Sequence, residues 1–133
     1  MALLIEKREK TTIENTPCEW VDWKDGVKFE IFGIAHPLYL EARAKYERRV
    51  MGEDLLNLSQ GSGTDLEKQI AIVGQYLIKG WEGFEGDDNK PLEKTAENFT
   101  DIVVMYPEIY EFVMNSSVEI QKAHTKAIAE KKK

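Results

Sequence analysis

Trp20-Val21-Asp22-Trp23-Lys24-Asp25-Gly26-Val27-Lys28-Phe29-Glu30-Ile31-Phe32 is the stretch on which the reading of the fold turns. Val27, Phe29 and Ile31 alternate with Lys28, Glu30 and Phe32, and a period of two sends successive side chains to opposite faces of a strand. Asp25-Gly26, just ahead of this run, is a strong hairpin-turn signal. Residues 20–32 are therefore expected to form a β-hairpin. An isolated hairpin is marginal in water, so its apolar face should lie on the helices that follow.

Toward the N-terminus, the strongly charged residues 1–16 end at Thr16-Pro17 and are expected to be a flexible lead-in, with Leu3–Ile5 free to dock on a neighbour. Toward the C-terminus, Pro37 suits the first turn of a helix, where its missing N–H costs nothing. That helix should run from about Pro37 to about Leu58 with Leu38, Ala42, Tyr46, Val50 or Met51, Leu55 and Leu58 inward, bent or broken at Gly52. Ser59–Gly63 reads as a loop, and Thr64-Asp65-Leu66-Glu67 as a capping box. The second helix carries Leu66, Ile70, Val73, Leu77 and Trp81 on one face. Gly80, Gly83 and Gly86 end it and open an acidic loop, Glu82 to Asp88, closed by Asn89-Lys90-Pro91. Thr95 caps a short third helix with Phe99, Ile102, Val103 and Tyr106 inward. Pro107 starts the last one, which runs to about Glu130 with Ile109, Phe112, Val113, Ser116, Ile120, Ala123 and Ala127 or Ile128 on its apolar stripe. Lys131–Lys133 form a frayed basic tail. The expected fold is a single domain over 1–133, mainly α: about four helices (37–130) with a short N-terminal β-hairpin.

Composition narrows the function. The chain has 133 residues, with 18 Lys and Arg against 24 Asp and Glu, a net charge of −6. Each of the segments 1–66 and 67–133 holds 9 basic and 12 acidic residues, so neither offers the basic surface that phosphate neutralisation needs, and no nucleic-acid partner is expected. No apolar run approaches the roughly 20 residues that span a bilayer, and the N-terminal apolar run is too short for a signal peptide, so no membrane partner is expected and the chain reads as cytosolic. The single cysteine, Cys18, excludes an internal disulfide and a cysteine-based zinc site.

The chemistry-bearing residues are sparse. His36 and His124 are the only histidines and lie 88 positions apart, with no metal spacing and no motif around either or around Cys18. Glu82, Glu85, Asp87 and Asp88 lack the order of a calcium loop, and Gly61-Ser62-Gly63 lacks the lysine and preceding strand of a phosphate loop. No enzyme, cofactor or metal is expected. Seven aromatics, Tyr76, Trp81, Phe84, Phe99, Tyr106, Tyr110 and Phe112, fall within 37 residues, and aromatics anchor interfaces as well as cores.

From Leu77 onward the chain presents an ordered series: a segment ending in Gly80-Trp81-Glu82-Gly83, an acidic loop, Pro91-Leu92, Thr95-Ala96-Glu97-Asn98 opening a helix, and Tyr106-Pro107-Glu108-Ile109 opening the next. The series resembles the tail assembly chaperones of long-tailed (siphovirus-type) bacteriophages over roughly the last 55 residues; no family motif is placed in the first 76. The resemblance implies a late, non-enzymatic assembly protein of the host cytoplasm, absent from the mature virion, that binds the tape measure protein and helps recruit major tail protein. Self-association is a further expectation. The family's short and frameshifted long forms give Ala129-Glu130-Lys131-Lys132-Lys133 a second reading, because consecutive lysine codons are A-rich and slippery; a solubilising tail is the other. The partner site is expected at Trp81, Phe84, Glu85, Tyr106 and Tyr110, where the second helix's end, a glycine-rimmed mobile loop and the Tyr106-Pro107 junction meet, with core burial of Phe84 left open. The competing function is an acidic helical adaptor or inhibitor that binds a cellular protein.

Overall fold

The computed structural model describes residues 12–56 and 63–131, and the side chains among them except those of 50–56, 63–65 and 131. In chain order the elements are β1 (Cys18–Asp22), β2 (Lys28–Phe32), α1 (Pro37–Leu56), α2 (Gly63–Tyr76), β3 (Ile78–Glu82), α3 (Ala96–Met105) and α4 (Glu108–Lys131). The strands form one antiparallel sheet in the order β1-β2-β3. The fold is thus mixed, four helices with a three-stranded sheet, rather than mainly α.

The hairpin forms where the sequence places it. Asp25 and Gly26 take φ of 54° and 79°, the positive values that both central residues of a type I′ turn require, and the Val27 N–H donates to the Lys24 carbonyl at 3.0 Å. Cross-strand partners share a face, so Val21, Phe29 and Trp81 lie together, as do Ile31 and Ile78. Phe29, Ile31 and Ile78 are buried and meet Val73, Leu77, Phe99, Ile109 and Val113 from the helices. The opposite face carries Trp20, Glu30 and Gly80, with Trp20 exposed.

β3 is the main correction. The spacing of Leu66, Ile70, Val73, Leu77 and Trp81 fits a single long helix, yet α2 ends at Tyr76 and the chain turns into a strand. Leu77 serves both: its N–H makes a last helical bond to the Val73 carbonyl (2.9 Å), and its carbonyl accepts the Phe32 N–H (2.8 Å). The free edge of β2 offers residues 78–82 a ladder, and a strand pairing outweighs continued helix where Gly80 weakens it. A bulge between Glu30 and Ile31 in the pairing leaves Lys79 as the extra residue. Lys94, unassigned in the sequence, donates its Nζ to the Gly74 and Gln75 carbonyls (3.1 and 3.4 Å), satisfying the end of α2.

Other expectations divide. Thr95 caps α3, its Oγ1 accepting the Asn98 N–H at 3.0 Å. His36, buried, caps α1: its Nδ1 accepts the Leu38 N–H at 3.2 Å and its ring meets Phe32 edge-on at 4.7 Å. In α1 Ala42 and Tyr46 face inward as expected, but at the start of the stripe Tyr39 is buried and Leu38 is exposed. Leu66 and Tyr106, expected inward, are exposed. In α4 the fully buried serine is Ser117 rather than Ser116, its Oγ donating to the Phe32 carbonyl at 2.7 Å; Ala123 is exposed, and of Ala127 and Ile128 it is Ile128 that is half-buried. Thr12–Thr16 form a turn in which the Thr12 N–H and the Asn15 N–H each donate to the other's side chain. The rest of the expected lead-in (1–11), the loop at Ser59–Ser62, the tail at Lys132 and Lys133, and the side chains of Val50, Met51, Leu55, Thr64 and Asp65 lie outside what is described, as does Leu58.

Candidate protein-binding surfaces

The five expected partner-binding residues fall in three places. Trp81, in β3, and Phe84, just after it, pack together: their rings are 5.7 Å apart and edge-on, and both touch the buried Phe29, at 6.4 and 5.7 Å. Trp81 also stacks on Phe99 at 6.4 Å and donates its Nε1–H to the Leu92 carbonyl at 2.9 Å. Both side chains are half-buried, so each is part of the wall of the core with one edge on the surface.

The loop that follows is tied by backbone hydrogen bonds at several points. The Leu92 N–H donates to the Phe84 carbonyl (3.0 Å), the Gly86 N–H to the Lys90 carbonyl (2.9 Å) and the Asn89 N–H to the Gly86 carbonyl (3.0 Å). Glu85 pairs with Pro91 in an isolated bridge, and its side chain is exposed. Gly83 has φ of 97°, and a Cβ there would stand 2.7 Å from the Gly26 carbonyl oxygen. This glycine lets the end of β3 lie directly on the hairpin turn.

The hairpin turn also reaches the Tyr106-Pro107 junction. Trp23 meets Tyr106 edge-on at 6.0 Å, and Lys24 Nζ lies 3.8 Å from Glu108 Oε1 in an exposed ion pair. Val104, Met105 and Tyr106, consecutive at the end of α3, are 64, 71 and 43% exposed, a run of apolar surface that a solvated helix end does not need. Tyr110 lies apart, in a cavity of about 170 Å³ between α1, α2 and α4 that it lines with Tyr39, Arg43, Tyr46, Gln69 and Met114. Burial there raises the Tyr110 phenol's pKa, with Tyr39 adding to the shift and Arg43 opposing it.

A groove of about 440 Å³ runs between α2 and α3, lined by Glu67, Lys68, Ala71, Glu97, Thr100, Asp101 and Val104. Sequence reading missed it, because its acids sit on two helices whose juxtaposition depends on Gly74: a Cβ there would stand 2.7 Å from Phe99 Cβ.

Burial, reinforced by the neighbouring Glu30, pushes the Cys18 thiol up to about 11, which disfavours the thiolate a nucleophile needs. No cluster of three or more His, Cys, Asp or Glu able to hold a metal ion occurs among the described residues. No helix among them is long and apolar enough to cross a membrane.

Residues 34–133 match the model of the YdaY prophage protein family. The chain belongs to that family. The YdaY match takes in all four helices and β3 and leaves out β1 and β2, so two of the three strands of this member lie ahead of the matched region. Membership makes the chain phage-derived, and every surface described above except the hairpin turn belongs to the YdaY region. No curated protein and no solved structure matches the chain.

Proposed function

We propose that this YdaY-family protein is a tail assembly chaperone of a long-tailed phage, without enzymatic activity, that binds the tape measure protein and helps recruit major tail protein in the host cytoplasm and is absent from the finished virion. The observation that carries the reading is a coincidence of place. The whole ordered series from Gly80 to Ile109 that resembles the chaperones falls inside the residues that match a prophage family. The surface is compatible with the task. A tape measure protein is a long helical chain with apolar seams, and exposed Met105, with Tyr106 packed on Trp23, offers apolar contact on a protein whose charge of −6 keeps a complex soluble.

Co-expression with the tape measure protein, followed by pull-down, tests this. Phe84 packs on Phe29, so replacing it measures folding; Glu85→Lys with Tyr106→Ser changes only exposed side chains. The pair should melt like the parent and lose the tape measure protein. Retention by the folded variant moves the binding face elsewhere, and failure of the parent to capture the protein at all removes the chaperone reading in favour of the adaptor. The gene gives an independent check. It should lie between those for major tail protein and tape measure protein, with an A-rich run at the lysine codons followed by a long open frame in the −1 register. An immediate stop there removes the long form.

A further inference from the structure

The charge of the chain is unevenly placed once the helices are seen. From Gln121 to the C-terminus there are five lysines and one glutamate, a local balance of +4 in a chain of −6, which leaves −10 on residues 1–120. The described side chains of this half of α4 are none of them buried. One flank is an open, mainly apolar groove of about 390 Å³ formed with Ile34, in which Val118 and Ala129 are bordered by Lys122 and Lys126. Lys122 has a neighbour, Glu119 Oε1 at 3.8 Å, in an exposed pair that contributes little.

The α2–α3 groove is its complement. Its floor is Ala71 and Thr100, short side chains that leave room for an inserted residue, and its border holds Glu67, Glu97 and Asp101 against the single Lys68. None of the three carboxylates has an ion-pair partner among the described residues. Exposed Val104 lines the groove, and exposed Leu66 lies one position before Glu67 on α2.

We infer that the α2–α3 groove takes the basic end of α4 from a second copy of this chain, Lys122 and Lys126 meeting Glu67, Glu97 and Asp101 while the Val118–Ala129 flank covers Val104. The acidic and basic surfaces share no residue, so each copy presents one of each. The contact is heterologous, and copies add head to tail into rings or open filaments rather than stopping at a two-fold dimer. This self-association needs no tape measure protein, and its test uses the purified chain alone.

Sedimentation velocity over a range of concentrations, at low and high salt, reads the result. The parent should grow beyond a dimer with concentration at low salt and dissociate at high salt. Glu67→Lys with Asp101→Lys should be monomeric, as should Lys122→Glu with Lys126→Glu. Glu97 is left in place because an acid in the first turn of α3 supports the helix. Mixing the two variants should restore association, since the parental groove of one and the parental α4 of the other are both unaltered. Val104→Asp, at an exposed position, guards against misfolding of the charge variants and should also be monomeric with an unchanged melting curve. A parent that remains monomeric at every concentration overturns the proposal and leaves the groove to another basic helix. So does association that survives the charge reversals, or a mixture that stays monomeric.

Discussion

The β1–β2 hairpin and α1 make an instructive pair. The hairpin lies outside the YdaY match, yet its short second half supplies Val27, Phe29 and Ile31 to the core. α1 lies inside the match and spans 20 residues, yet from Pro37 to Arg49 only Tyr39 is buried. Length and family membership therefore do not locate what holds the fold together; the number of apolar side chains removed from water does. Phe29 shows why a few strand residues suffice. It is fully buried and touches Trp81, Phe84 and Phe112 at 5.7–6.4 Å, so one side chain ties β3, the acidic loop and α4 to the hairpin.

The sharpest way to break this comparison is Phe29→Ala. Truncating a fully buried phenylalanine should cost about 3–5 kcal/mol, a large share of the roughly 5–15 kcal/mol that keeps a typical domain folded, measured by urea denaturation. If Tyr39→Ala costs as much, the contrast between hairpin and α1 fails. Trp81 and Phe112, which the sequence marks as core, are half-buried, and their alanine variants should each cost less than Phe29→Ala in the same assay.

Gly74→Ala comes next. In an exposed helix alanine is favoured over glycine, but here the new methyl meets Phe99 Cβ and Cδ2 at 2.7 Å. Overpacking should win, destabilising by roughly 1–3 kcal/mol. A stabilised variant would show that α2 and α3 can separate without loss.

His36 sits at the seam between the two regions and gives a smaller, pH-dependent effect. Burial lowers its pKa from the ordinary 6.5, and protonation would remove the Nδ1 lone pair that accepts the Leu38 N–H. The unfolded chain therefore binds the proton more readily than the folded one. The stability linked to neutral His36 is complete above pH 6.5 and declines as pH falls below it, until the folded-state pKa is passed. Melting temperatures of the parent and His36→Asn, which keeps a capping side chain, should converge on acidification through this window. Parallel curves would place the pH dependence elsewhere.

The smallest effect belongs to α1's surface. Arg43 Nε and Glu47 Oε1 pair at 3.0 Å with both side chains more than half exposed, so Glu47→Ala should change stability by no more than about 0.5 kcal/mol. A larger loss would mean that α1 is held more tightly than its burial indicates.

Local chemistry was the legible part of this fold. Asp25-Gly26 dictates its turn, Thr95 its cap and Pro37 its helix start, because each acts within a few residues of itself. β3 was illegible because Ile78 and Trp81 satisfy a helical stripe as well as a strand, and only the free edge of β2, some fifty residues earlier, decides between them. In α1 only the first inward position was illegible: Leu38 and Tyr39 are adjacent and both apolar enough to begin the stripe, and it is Tyr39 that is buried and Leu38 exposed. Of the candidate site, the aromatics could be named but not sorted. Trp81 and Phe84 belong with Phe29, Tyr106 with Trp23, and Tyr110 with Tyr39, and none of these pairings has a sequence spacing that announces it.

The strand order also sets a timetable. β2 is the central strand, but its partner on one side comes late: Trp81, opposite Phe29, is 52 positions further along the chain. On a ribosome adding about 5–20 residues per second, the hairpin waits roughly 3–10 s for β3 to be made. Throughout that interval β2 has an open edge able to pair with any other extended chain. α1 and α2 are synthesised during the wait, so the closing of the sheet is a long-range event that follows local helix formation. Lys28 and Glu30, charged residues on the waiting strand, are the kind that deter mispairing of such an edge.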